Sequence, residues 1–210
     1  MLEISNVNVY DLVDSVIASG NAMRIVPLVI TDDNRQEEFE KGLKRMITLV
    51  NTSMNTDVHC HDNALTGIRV SFDVKYPQYW TPEFQRYHFA DIVTSSSKMH
   101  RLCKMDLKKA CNKYVDERLI EIEKEKIDFY NYFIERKASE EDIYEAFMQM
   151  LSNCPLGLEL FMRVSTNYKQ LQTIYHQRKH HRLKEDWGAF CKFIEELPYA
   201  KQLILGENLE

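Results

Sequence analysis

The period of the apolar positions changes several times along the chain, and each change predicts an element. Ile4, Val7 and Val9, and then the run MRIVPLVI at 23–30, predict short β-segments. Phe39, Leu43, Met46, Ile47 and Val50 recur at spacings of three and four, which predicts a helix starting near Arg35 with Asp33 as its cap. The stretch TSMNTDVHCHDN is polar and reads as a turn. TGIRVSFDV at 66–74 alternates, with Ile68, Val70, Phe72 and Val74 on one side and Arg69, Ser71 and Asp73 on the other. That is the period of a half-buried strand. Thr81 caps and Pro82 opens a helix predicted to reach about Val93. TSSSK at 94–98 interrupts it, because consecutive hydroxyls compete for backbone hydrogen bonds.

From Met99 to Arg136 the pattern is mostly helical, with Leu107, Cys111, Tyr114, Leu119, Ile122, Phe129, Tyr130 and Phe133 as the packing face. Ser139 and Asp142 form a capping box for a helix carrying Ile143, Phe147, Met150 and Leu151, which should end before SNCP. LELFMRVST at 158–166 predicts a strand, and Asn167-x-x-Gln170 caps a helix from Tyr168. A last helix carries Trp187, Phe190, Phe193, Ile194 and Leu197 and closes at Pro198. No repeat and no linker is evident, so residues 1–210 read as one domain of mixed α+β (or α/β) class.

Composition agrees with a folded chain: 44% hydrophobic, 28% charged, with 6 Gly and 5 Pro. The five cysteines, Cys60, Cys103, Cys111, Cys154 and Cys191, are scattered and odd in number, which reads as free thiols in a reducing, cytoplasmic setting. The opening MLEISNVNVYDL is a poor signal peptide, and no run of 18 apolar residues reads as membrane-spanning.

The net charge of −5 argues against broad polyanion binding and leaves room for a local anion pocket. Such a pocket has a candidate at 163–187, which holds Arg163, Lys169, Arg178, Lys179, Arg182 and Lys184 with three histidines. Tyr168, Leu171, Tyr175, Arg178 and Arg182 fall three or four apart, so two guanidiniums extend an apolar stripe. They are either anion ligands or a solvated basic face. His176 and His180, and the run His59-Cys60-His61-Asp62, have metal-like spacings without a converging ligand set, so no metal is assigned. Arg86, His88, Ser95, Ser96, Ser97, Lys98, His100 and Arg101 form a second polar cluster. It reads equally as an anion site and as a helix break. No Gly-rich phosphate loop, CxxC pair or nucleophile elbow is present, and the sequence gives no strong nucleic-acid signal.

The spacing Asn167-x3-Leu171-x2-Ile174-x3-Arg178 resembles the C-terminal signature of flavin-dependent thymidylate synthases (ThyX). LSNCPLGLELFMRVST at 151–166 is similar to that family's loop and strand before the same helix. The upstream order is similar too: a His/Asp/Asn-rich turn, the strand at 66–74, and a helix containing Gln85, Arg86 and His88. The resemblance covers residues 55–197 and is close in the last third. The family's central motif reads Arg-His-Arg, two residues, Ser, one residue, Asn-Glu, and a final Ser-x-Arg. This chain has QRYHFADIVTSSSKMHRL at 85–102, with no acidic residue after an asparagine. The central motif is thus degraded, as in a divergent, phage-associated relative.

The resemblance implies a ThyX-like fold, a small and mostly antiparallel sheet packed by long helices. It implies FAD as cofactor, near His61, His88 and Asn167. It implies dUMP as substrate, bound by Gln85, Arg86, Ser96, Ser97 and Arg101, with Arg178 binding and polarising the pyrimidine. The implied activity is a methyltransferase reaction, reductive methylation of dUMP with methylenetetrahydrofolate as one-carbon donor, in a homotetramer. The alternative is a noncatalytic nucleotide-binding or protein-interaction protein on the same scaffold.

Overall fold

A computed structural model describes residues 1–55 and 61–208. In chain order the elements are β1 (Glu3–Tyr10), α1 (Leu12–Ala18), α2 (Asp32–Asn55), β2 (Arg69–Pro77), α3 (Thr81–Phe84), β3 (Asp91–Ser95), α4 (Lys98–Arg101) and α5 (Leu107–Ala110). There follow α6 (Glu117–Glu135), α7 (Glu140–Asn153), β4 (Glu159–Asn167), α8 (Tyr168–Arg178), α9 (Lys184–Glu195) and α10 (Ala200–Leu203). The strands form one sheet in the order β1-β2-β4-β3, and the class is α+β. Among the described residues no helix is long and apolar enough to cross a membrane.

The chain separates into two compact units, Met1–Glu3, Val74–Arg86 and Thr94–Met162 in one, and Ile4–Asp73, Tyr87–Val93 and Arg163–Glu210 in the other. The antiparallel register can be read from side-chain pairs within each unit. In the first, Lys75 Nζ lies 2.7 Å from Glu159 and 3.2 Å from Glu3. In the second, Asp73 accepts from Asn6 at 2.6 Å and from Arg163 at 3.1 Å. These two donors, Asn6 first, hold the Asp73 carboxyl below the usual carboxylate range.

The first unit packs Trp80 against Phe84, ring centroids 4.6 Å apart, with Leu102, Leu107 and Met150 buried. Its helix starts are chemically marked. Asp116 accepts from the Arg118 N–H to cap α6, and Ser139 accepts from the Asp142 N–H at 3.2 Å to cap α7. The second unit packs Phe72 against Phe193 and Phe190 at 4.8 and 5.8 Å, with Trp187 and Leu171 buried. Gly42 lets α2 approach α1: a Cβ there would stand 2.6 Å from the Val16 carbonyl oxygen.

Several expected elements differ. Residues 23–30 form no strand. A 3-10 turn at Asn21–Met23 leads into irregular chain with Ile25, Val26 and Val29 exposed. The helix expected from Arg35 begins at Asp32 and runs to Asn55, absorbing the start of the polar stretch; Asn34 Oδ1 accepts from the Thr31 N–H at its entrance. The helix expected from Thr81 to Val93 is one turn long, and Asp91–Ser95 is a strand. The Ser96 N–H donates to the Phe161 carbonyl at 2.8 Å and Ser96 Oγ accepts from the Phe161 N–H at 3.1 Å. That pairing carries the hydroxyl run on from the strand end. In place of one long helix from Met99, the one-turn helices α4 and α5, with a 3-10 turn at Leu102–Lys104 between them, precede α6.

The packing face of α6 is also shifted. Ile120, Glu123 and Ile127 are buried, whereas Leu119, Ile122 and Phe129 are exposed, as is Tyr114 ahead of the helix.

Candidate functional site

In the unit that carries α8, three features converge on that helix. Its N-terminus is set by Asn167, buried, whose Oδ1 accepts from the Gln170 N–H at 2.9 Å. Beside it, Thr166 Oγ1 donates to the Phe89 carbonyl at 2.7 Å, and Gln170 Oε1 accepts from the Phe89 N–H at 3.4 Å. His88, next to Phe89, is exposed.

The second feature is an ion pair. Lys169 Nζ donates to both carboxylate oxygens of Asp62 at 2.8 and 2.7 Å, and to Gln172 Oε1 at 3.0 Å. Asp62 is fully buried. The pair pins the 61–67 turn, and with it a cavity of about 470 Å³ lined by His61, Asn63, Thr66, Ser15 and Ser19. Ser19 Oγ accepts from Arg45 Nη1 at 3.3 Å. A Cβ on Gly67 would overlap Ser15 Oγ, so glycine keeps this wall close. His61 therefore lines a hydroxyl- and amide-walled cavity; His59 and Cys60 lie outside the described residues.

The third feature is Arg178, at the last position of α8. Its Nε donates to the Tyr87 hydroxyl at 2.6 Å, and that hydroxyl donates to Gln177 Oε1 at 3.1 Å. The guanidinium carbon stands 4.5 Å from the Trp187 ring centroid and 5.6 Å from that of Tyr87. The half-buried guanidinium is thus oriented by two aromatic rings and a phenol. Asn167 and Arg178 occupy opposite ends of α8, separated along its axis by roughly 16 Å.

The expected stripe through Arg182 is not formed. The helix ends at Arg178, so Arg182 and His180 lie beyond it, and the buried face is Tyr168, Gln170, Leu171, Gln172 and Ile174. His176 and His180 consequently do not share a helix face. Burial, and then the Lys179 charge, lower the pKa of His176. Part of the basic run is explained by partners: Arg163 pairs with Asp73 and Lys169 with Asp62.

In the other unit, Gln85 and Arg86 are exposed just after α3, and Arg101 is exposed at the end of α4. Ser97 is half-buried at the N-terminus of α4, and Ser96 is held by the Phe161 N–H. Lys98 Nζ donates to Gln78 Oε1 at 3.0 Å. Among the described residues the cysteines are free thiols, and burial pushes Cys111 and Cys191 up to about 11. No group of three or more His, Cys, Asp and Glu among those residues is placed to hold a metal.

The side chains that orient Arg178 and the 61–67 turn were not singled out from the sequence. Tyr87 was hidden between two better candidates, Trp187 read as core, and Lys169 read as one of a basic run.

A four-stranded antiparallel sheet with this helix order is the fold of thymidylate synthase X. Two crystal structures of that protein from Helicobacter pylori, both with FAD and dUMP, match with TM-scores of 0.60 and 0.59. Each match has 14% sequence identity and covers 97% of both chains. No protein family model and no curated protein matches the sequence.

Proposed function

We propose that this chain binds FAD and dUMP and acts as a thymidylate synthase-like protein, by reductive methylation of the pyrimidine. The observation that supports this most is the likeness over 97% of both chains to two structures that hold FAD and dUMP. The cavity beside His61 fits part of a flavin nucleotide. Its size lies within the range of small-molecule pockets, and its hydroxyl, amide and imidazole groups match a ligand rich in hydrogen-bonding edges. In this reading His61, with Asn63 and Thr66, holds FAD, and His88 and Asn167 stand near it. Bound FAD supplies the redox chemistry and the hydride.

The chain's own contribution is orientation and electrostatics. Arg178 carries a delocalised positive charge, and Tyr87 and Trp187 hold its plane in one orientation. A guanidinium fixed before the substrate arrives stabilises negative charge developing on a pyrimidine without reorganising. Arg86 and Arg101 bind the phosphate of dUMP, and Gln85, Ser96 and Ser97 add polar contacts. The protein works as a homotetramer. The apolar side chains exposed on α6, Leu119, Ile122 and Phe129 among them, support assembly.

A second reading, a noncatalytic nucleotide-binding or protein-interaction protein on the same scaffold, is favoured by one observation. Ser96 Oγ, a proposed substrate ligand, is used by the fold to extend the pairing of β3 with β4. The test is the visible spectrum of the purified protein with added FAD, followed by an assay for thymidylate from dUMP and methylenetetrahydrofolate. A flavin spectrum with product formation supports the synthase reading. Flavin or dUMP binding without product supports the second reading, and neither binding nor product defeats both nucleotide proposals.

A further inference from the structure

Glu123 on α6 is fully buried, and neither carboxyl oxygen has a hydrogen-bond partner among the described residues. An ionised carboxylate so placed loses its hydration without replacement. The positive charge that acts on it is that of Lys98 of α4, and a charge on Glu123 acts in turn on the thiols of Cys103 after α4, Cys111 after α5 and Cys154 at the end of α7. Burial raises all three thiols above their ordinary range. Charges further out are engaged elsewhere: Glu159 with Lys75 at 2.7 Å, and Lys126, on the same helix, with Gln149 at 3.1 Å. Lys104 adds a positive charge near Cys103. Lys98 is the cation that acts on Glu123, yet its Nζ donates to Gln78 Oε1 at 3.0 Å. Gln78 Nε2 in turn donates to Cys154 Sγ at 3.4 Å and to the Pro155 carbonyl at 3.2 Å.

We propose that Glu123 is a proton-operated switch on the tether formed by Lys98, Gln78 and Cys154. With its proton, Glu123 stays neutral in the niche and Lys98 remains on Gln78. Without it, the carboxylate draws the Lys98 ammonium away from Gln78, and Gln78 releases Cys154 and Pro155. The proton passes to bulk water, and nothing is oxidised or reduced. Burial pushes the Glu123 carboxyl up to about 7, against the opposing effect of Lys98, which places the switch at neutral pH. The folded state therefore binds this proton more tightly than the unfolded chain does. Its stabilising contribution is complete below the unfolded value of 4.5 and is lost as pH rises through about 7.

The experiment uses the full chain and Glu123→Gln, which mimics the protonated form. Urea unfolding at pH 5 and pH 9 gives the folded-to-unfolded ratio. Relative to the variant, the wild type should lose roughly 80-fold across that interval. Alkylation of Cys154 by iodoacetamide, normalised to the variant at each pH, should rise over the same range. Equal pH profiles in the two proteins would overturn the switch. Lys98→Met keeps Glu123 and is the second variant. The carboxyl 13C titration of Glu123 should move to higher pH in Lys98→Met than in wild type. An unchanged midpoint, or a wild-type titration in the ordinary range near about 4.3, would overturn the proposal even if Glu123→Gln failed to fold.

Discussion

Replacing Lys169 by methionine keeps most of the aliphatic stem and deletes the ammonium, which isolates one electrostatic contact. Asp62 is 0% exposed and Lys169 30% exposed at the side chain, with the two hydrogen bonds to the carboxylate at 2.8 and 2.7 Å. Without Lys169, Asp62 keeps a desolvated carboxylate, and Gln172 Oε1 loses the donor it now has at 3.0 Å. Breaking a buried pair costs about 3–5 kcal/mol, and the partial exposure of Lys169 places this one near the low end, at about 3 kcal/mol. With a urea m-value of about 2 kcal/mol/M, the unfolding midpoint should fall by roughly 1.5 M.

Asp62→Asn in the Lys169→Met background removes the stranded charge and should restore about 1–2 kcal/mol. Urea unfolding of the four proteins, followed by far-ultraviolet circular dichroism at low and high salt, closes the cycle. A loss below about 1 kcal/mol that shrinks in salt is the behaviour of an exposed pair. It would show that the 61–67 turn does not depend on this contact.

Three further outcomes follow from local geometry. Lys137, just past α6, sits at φ 50° while the Ala138 N–H donates to the Phe133 carbonyl at 3.1 Å; Lys137→Gly should raise stability by about 0.5–1 kcal/mol in urea unfolding, and a loss would contradict it. Gly42→Ala should lower stability by about 1–3 kcal/mol despite alanine's helix propensity, because its Cβ meets the Val16 carbonyl; a more stable variant would show that α1 yields. Arg178→Ala should weaken dUMP binding by about 10- to 100-fold with a smaller effect on the urea midpoint, and equal loss of folded protein would make Arg178 a structural residue.

The strands at 66–74 and 158–166 and the caps at Ser139 and Asn167 were legible because each is decided by near neighbours. Alternation sets a strand's buried face, and a side-chain oxygen three residues ahead of an N–H sets a helix start. Residues 85–95 were not legible in the same way. Phe84 and Tyr87 keep a helical spacing, but the backbone groups of 91–96 are satisfied by β4, more than sixty residues away in the chain. Tertiary pairing overrode the local pattern.

On α6 the large aromatics dominated the reading, while the buried stripe passes through Glu123, a residue type that breaks an apolar period. On α8, the capping by Asn167 and the place of Arg178 on the same helix were legible from their spacing. The rings that orient Arg178 were not, since Tyr87 lies 91 residues away and its phenol leaves no mark on the local sequence.

The proposed function rests on a nucleotide site in which Arg178 meets a pyrimidine. Calorimetric titration of dUMP, with and without FAD, into the wild-type protein and Arg178→Ala is the decisive measurement. Saturable heat is expected for the wild type, stronger with FAD present, with a greatly weakened isotherm for the variant. No saturable heat under either condition, or identical isotherms for the two proteins, would contradict it.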